Sequence, residues 1–291
     1  MGFKIKNGVL LKYEGAGALE RLGIRKQDES LSLPKNVTSI ADEAFSMTDV
    51  SRVLIPPSVT SIGERAFALC AELQAVDFSG GLREIGTNAF DGCHVLKTAV
   101  IPETCETVGA WAFCNCSGLR SVKISNKIEA IARGTFSGCS RLEEITIPAS
   151  VQHIDNRAFY ACASLTTVNL NKGLKTIGRE AFACCSSLTT IYIPDTVTEI
   201  AEDAFAGCTE LKTVIIPPTV TKLHPFAFGT DHHIQTITTV TGSVAHQYAL
   251  SHGIMCYTEK EANLLRGCNP AFFIEYGILK NTRRSITSAI S

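Results

Sequence analysis

The chain has 291 residues, 45% of them apolar and 19% charged, with a formal net charge of −1. That balance leaves no electrostatic footprint for nucleic acid or an anionic membrane, and no apolar run approaches the roughly 18–20 residues that span a bilayer. The opening Met-Gly-Phe-Lys-Ile-Lys-Asn-Gly lacks the apolar segment of a secretory signal and has Lys6 and Asn7 where a myristoylation site wants Ser or Thr, so the sequence reads as soluble, with no recognisable export address.

Phe3 to Tyr13 alternates around Asn7-Gly8, which predicts a hairpin with a two-residue turn. Residues 1–30 are read as an N-terminal hairpin cap that ends in a loop. From Leu31 one register takes over. Phe45, Phe67, Phe90, Phe113, Phe136, Phe159, Phe182, Phe205 and Phe228 recur at a first interval of 22 and later intervals of 23 residues. A fixed period of this length means a solenoid, in which each unit buries its apolar face against its neighbours. Apolar residues alternate in short runs such as Val53/Ile55, Val76/Phe78, Ile145/Ile147 and Ile191/Ile193. That alternation predicts one inward-facing parallel strand per repeat. Ten such rungs would stack into a ladder roughly 45 Å long. A second apolar pair in each repeat, as in Val59/Ile62 and Leu174/Ile177, predicts a shorter ladder opposite. The Glu-Arg-Ala-Phe type of segment is expected to form one short helical turn, closed by a left-handed residue at Gly92, Gly138 and Gly207.

Two further regularities run through residues 31–240, about nine repeats. Cys70, Cys93, Cys116, Cys139, Cys162, Cys185 and Cys208 each follow a Phe of the series by three residues, and Cys105 stands where other repeats have Val. A Cys recurring once per repeat reads as a small buried hydrophobe and lacks the close pairs of a zinc site. Cys114, Cys184, Cys256 and Cys268 lie off these columns and are the candidate reactive thiols. Pro follows the strand at 56, 102, 148 and 194, while intervening repeats carry Ser79, Ser125 and Asn171, so the true period of the middle is 46 until Pro217. After Ile237 the pattern decays. Residues 241–258 read as a C-terminal cap: a helix from N-cap Ser243 to Gly253, then a strand over Ile254 to Tyr257. Within 259–291 a helix over Lys260 to Arg266 and a solvated end around Arg283-Arg284 are expected, with no repeat.

The pattern Ile-Pro-x-x-Val-x-x-Ile-Gly-x-x-Ala-Phe-x-x-Cys-x-x-Leu-x-x-Val over about 31–240 resembles the BspA-like class of bacterial leucine-rich repeat. The resemblance implies a curved, right-handed leucine-rich-repeat solenoid, β-dominated, with a parallel strand ladder. It also implies binding of a protein or surface component, often in adhesion, with no catalytic activity, and a cell-surface or secreted location.

The histidines occupy different repeat positions, His232-His233 falls in the irregular last repeat, and no G-x-S-x-G, P-loop or H-E-x-x-H occurs. No cofactor, metal, nucleic acid or membrane insertion is expected. An enzyme, hydrolase or redox, would have to use the histidines or the off-column cysteines; a purely structural, self-associating element is the third reading. The outward side of the strand ladder varies in charge and size, which marks it as the candidate binding strip. Its C-terminal half pairs Thr167 with Asn169, Thr190 with Tyr192, and Thr213 with Ile215. These six form the candidate site, with hydroxyls and an amide flanking an aromatic and an aliphatic anchor.

Overall fold

The computed structural model describes residues 2–14, 30–230, 233–258 and 261. The chain winds into a parallel β-solenoid of about ten turns with little helix. Partners across each junction sit one repeat apart, as in Thr98↔Ser121 and Glu144↔Thr167. The inward pairs are buried as the alternation predicts, with Val53, Ile55, Ile145, Ile147, Ile191 and Ile193 each at most 1% exposed. Val122 is only half-buried. The short second ladder is present on the opposite side, for example Ser61–Ile62 beside Glu84–Ile85.

The expected helical turn is absent. Around Phe45 the amides alternate in direction. Glu43, Phe45 and Met47 donate to the carbonyls of Glu64, Ala66 and Ala68 in the next repeat, at 2.9, 2.7 and 2.9 Å. Ala44, Ser46 and Thr48 instead close tight turns onto Ala41, Glu43 and Phe45. A helix would direct every amide along its own axis; here every second one is needed to join neighbouring repeats. Alternation requires left-handed residues on both sides of the Phe. Gly92, Gly138 and Gly207 are left-handed as expected, with φ of 75°, 74° and 69°. Equivalent positions hold Met47, Leu69, Asn115, Ala161 and Cys184 at φ of 54–61°, and a second left-handed row runs through Glu43, Arg65, Asn88, Trp111, Arg157, Glu180 and Asp203. Gly-only reasoning hides that second row, because side chains stand there at a small conformational cost.

The nine Phe rings form one continuous stack, neighbours lying 4.6–5.6 Å apart and within 17° of parallel. Beside it runs the cysteine column, and each thiol does more than fill space. Cys139 Sγ donates to the carbonyl of Phe113 at 3.2 Å, and every other column Cys makes the same bond to the Phe of the preceding repeat. Thr48 occupies this position in the first repeat and donates to the Phe45 carbonyl at 2.7 Å.

Both ends bring strands to the solenoid. Phe3–Lys6 and Val9–Tyr13 form the expected antiparallel hairpin, with Asn7 and Gly8 both at positive φ, as a type I′ turn requires. The hairpin joins the second ladder through Val9↔Ser39, and Tyr13 extends the Phe stack at 5.2 Å from Phe45. At the other end the helix Val244–Ser251 is capped by Ser243, whose hydroxyl accepts from the His246 amide, and Gly253 has φ 65°. Tyr248 packs edge-on against Phe228, and Met255–Thr258 adds the last parallel strand. The expected loop over 14–30 and the tail over 259–291 fall almost entirely outside the described residues.

The strand ladder is not continuous, contrary to the expectation of ten stacked rungs. It divides into four plates: Leu31–Ser32 with Arg52–Ile55 and Ala75–Phe78; Thr98–Val100 with Ser121–Lys123; Glu144–Ile147 with Thr167–Leu170; and Thr190–Tyr192 with Thr213–Ile215, Thr236–Thr239 and Met255–Thr258. Each gap follows Ser79, Ser125 or Asn171 and precedes Pro102, Pro148 or Pro194, so the 46-residue period of the sequence reappears in the hydrogen bonding.

Candidate interaction surface

Nearly all the outward strand positions face solvent. Leu54, Val100 and Tyr192 are 40%, 57% and 57% exposed, and Asp77, Lys123, Thr146 and Asn169 are exposed between them. On the Pro rungs this column is apolar at Leu54, Val100, Tyr192 and Ile215 and hydroxylic at Ser32 and Thr146, and on the Ser/Asn rungs it is polar at Asp77, Lys123 and Asn169. Thr238 departs from expectation: it is buried, because Tyr257 of the final strand lies beside it.

The six predicted site residues all lie on this face, but the structure divides them. Thr190, Tyr192, Thr213 and Ile215 sit together on the fourth plate, in register as Thr190↔Thr213 and Tyr192↔Ile215. Thr167 and Asn169 belong to the third plate, where Asn169 Nδ2 donates to Thr146 Oγ1 at 3.3 Å. The fourth plate is also larger than the sequence suggested. Thr236 donates its hydroxyl to Thr213 at 3.2 Å, and Met255 and Tyr257 continue the two outward columns, with Met255 41% exposed. Sequence reasoning missed Met255 and Tyr257 because they follow the helix, outside the repeat register. The three rungs from Thr190 to Thr238 carry no charged side chain at the outward positions, so their contact chemistry is hydroxyl, aromatic and aliphatic.

The alternative chemistry finds little support in the geometry. His94, His153, His224, His246 and His252 each bond within their own neighbourhood, for example His153 Nδ1 with Thr176 Oγ1 at 2.8 Å. His232 lies outside the described residues. Among the described residues no three His, Cys, Asp or Glu side chains are grouped to hold a metal ion. An apolar cleft lies where the second ladder is interrupted, between Thr107–Val108 and Ala130–Ile131. It is lined by side chains such as Ile101, Val108, Ile124, Ile131 and Phe136, with no titratable group among them.

The cysteines need one correction. Cys114, expected among the reactive thiols, is buried, and burial pushes its pKa up to about 11. Burial likewise raises Cys256, which is half-buried, while Cys184 is exposed. Cys268 lies outside the described residues. Alkylation of the native protein with a small maleimide should therefore modify Cys184 first and leave Cys114 and the column silent until denaturant is added. Mass spectrometry of the peptides decides it, and labelling of Cys139 or Cys162 without denaturant contradicts the buried column.

The repeat register matches a known family. The family described as BspA type leucine rich repeat region matches residues 26–143 and 129–251, in six copies. The chain belongs to the BspA-type leucine-rich repeat family. Among solved structures, a leucine-rich repeat protein from Bacteroides ovatus is 24% identical, covering 84% of this chain and 69% of that one, with a TM-score of 0.58. The T. pallidum leucine rich repeat protein is 27% identical, covering 64% of this chain and 83% of that one, with a TM-score of 0.55. No curated protein matches. A BspA-type repeat array of this kind is consistent with a protein-interaction scaffold, and among the described residues no helix is long and apolar enough to cross a membrane.

Proposed function

We propose that this BspA-type chain is a non-catalytic scaffold of the adhesion kind, which binds a protein or surface polymer through the outward face of its strand ladder. The carrying observation is Tyr192, more than half exposed beside Ile215 on an uncharged, threonine-lined plate. A solvated Tyr on a rigid strand can bury a large ring while keeping its hydroxyl wet, which suits an interface anchor. Thr190 and Thr213 flank it with hydroxyls, and Thr167 and Asn169 add polar groups from the adjoining plate. The N-terminal hairpin and the region 241–258 serve as caps, since each places a ring against an end of the Phe stack. Membership of the BspA-type family supports a cell-surface or secreted location.

The test begins with capture by the intact chain to identify the partner. Tyr192→Ala with Ile215→Ala should then weaken binding by about 2 kcal/mol, roughly thirtyfold, with an unchanged melting temperature. Asp77→Ala with Lys123→Ala on the first two plates is the control and should have little effect. Equal affinity of the two double variants, measured by calorimetry, rules this face out.

A further inference from the structure

The strand ladder is open at three junctions, between Phe78 and Thr98, Lys123 and Glu144, and Leu170 and Thr190. Proline alone does not open it. The two junctions where Pro rungs adjoin, Pro34 with Pro56 and Pro194 with Pro217, remain paired through Leu31↔Val53 and Ile191↔Val214. Opening needs a Ser or Asn rung followed by a Pro rung.

Two opposed pulls account for this. Ser125 Oγ donates back to the Cys105 carbonyl at 2.7 Å, and Asn171 Nδ2 donates back to the Ile147 carbonyl at 2.8 Å. At the second and third gaps the Ser/Asn rung therefore leans toward the Pro rung before it. The Pro rung that follows has no N–H at the equivalent position with which to reach back. The three gaps share a second property: they are one-sided. At each of them the second ladder stays paired, through Glu84↔Thr107, Ala130↔His153 and Thr176↔Glu199, and the Phe stack continues unbroken. On the third side the strands themselves are unpaired. Two of the gaps keep a single bond at the strand entry, from Lys97 N–H to the Gln74 carbonyl at 3.2 Å and from Glu143 N–H to the Arg120 carbonyl at 3.4 Å. A junction held on two sides and nearly free on the third is a hinge.

We propose that the strand face is a set of four rigid plates hinged along the opposite ladder, so that the solenoid changes its curvature on the strand side to fit a partner. The role in binding rests on the reading above; the hinges themselves do not. In this register the residue before the Pro position directs its amide to the next rung, as Ile101, Ile193 and Ile216 do to Lys123, Ile215 and Thr238 at 2.9–3.0 Å. Phe78, Ile124 and Leu170 hold the same position at the open junctions.

Amide hydrogen exchange on the free, full-length chain tests the hinges without any partner. Phe78, Ile124 and Leu170 should exchange at least about tenfold faster than Ile101, Ile193 and Ile216. Asn171→Pro converts the third gap into a Pro–Pro junction of the kind that stays paired, so Leu170 should slow to the level of Ile193. Equal protection at the six amides of the parent overturns the proposal, and that comparison stands even should the Pro variant fail to fold. Unslowed exchange in a folded Asn171→Pro chain overturns the stated cause. A failed Tyr192/Ile215 binding test with this exchange pattern present would remove the site and leave the hinges.

Discussion

Raising the pH from about 8 to about 10 is expected to cost the folded chain on the order of 8 kcal/mol, comparable with the whole stability of an ordinary domain. The source is the column of thiols, chiefly the six from Cys93 to Cys208. Burial is the leading cause that lifts the pKa of each well above the ordinary 9.0. A thiol whose folded pKa lies above its unfolded value contributes stability that is whole below about pH 9 and is lost as the pH climbs from there toward the folded value. Above pH 9 the unfolded thiols ionise and the buried ones do not, so each forfeits about 1.4 kcal/mol per pH unit. The column bonds sharpen the effect, since a thiolate has no proton to give the Phe carbonyl. Urea midpoints at the two pH values in reducing buffer measure it. Lys and Tyr titrate in the same range, so Cys139→Thr isolates one thiol; Thr48 already fills this position in the first repeat. That variant should lose about 1.4 kcal/mol less than the parent across the interval. Identical losses would mean that Cys139 ionises in the folded protein.

The second large effect is expected for Phe136→Ala. Phe136 is 1% exposed and stacks on Phe113 at 5.6 Å and Phe159 at 5.4 Å. Large-to-small Phe changes cost about 3–5 kcal/mol. The upper end applies here, because Phe136 also lines the apolar cleft where the second ladder is already open, and the new void adds to it. In a solenoid each repeat touches only its neighbours, so weakening a central interface should also split one unfolding transition into two. Calorimetry shows both, and a single transition at the parent temperature contradicts the packing described here.

Much of this architecture is legible in the sequence, because repetition makes each inference nine times over. The inward pairs, the Leu and Val columns, Asn7-Gly8 and Ser243 report local periods and local caps, which are properties of short stretches of chain. What stayed hidden depends on the neighbouring turn. Cys139 looks like a small hydrophobe until the Phe113 carbonyl above it is located. Glu43 and Arg65 look like helix formers, yet they are left-handed because their repeat must direct every second amide to the next. The site was legible to the same extent. Alternation places Tyr192 and Ile215 on the outer face, but the gap that separates them from Thr167 and Asn169 follows from how two rung exits meet. Met255 and Tyr257 reach the plate through pairing with Thr236 and Thr238 alone.

The two kinds of rung exit also constrain how such a chain can grow or shrink. Copying or deleting a 46-residue segment leaves every seam of a kind the chain already contains. Deleting one Ser or Asn rung sets two Pro rungs side by side, a seam already present at Pro34/Pro56 and Pro194/Pro217. Deleting a Pro rung flanked by Ser or Asn rungs on both sides is different: loss of the one ending at Pro102 would set Ser79 directly before Ser125, and loss of Pro148 would set Ser125 before Asn171, pairings found nowhere from Pro34 to Pro217. Recombination among repeats should therefore favour paired units and trimmed Ser/Asn rungs, and arrays that have lost a Pro rung from between two Ser/Asn rungs should be selected against.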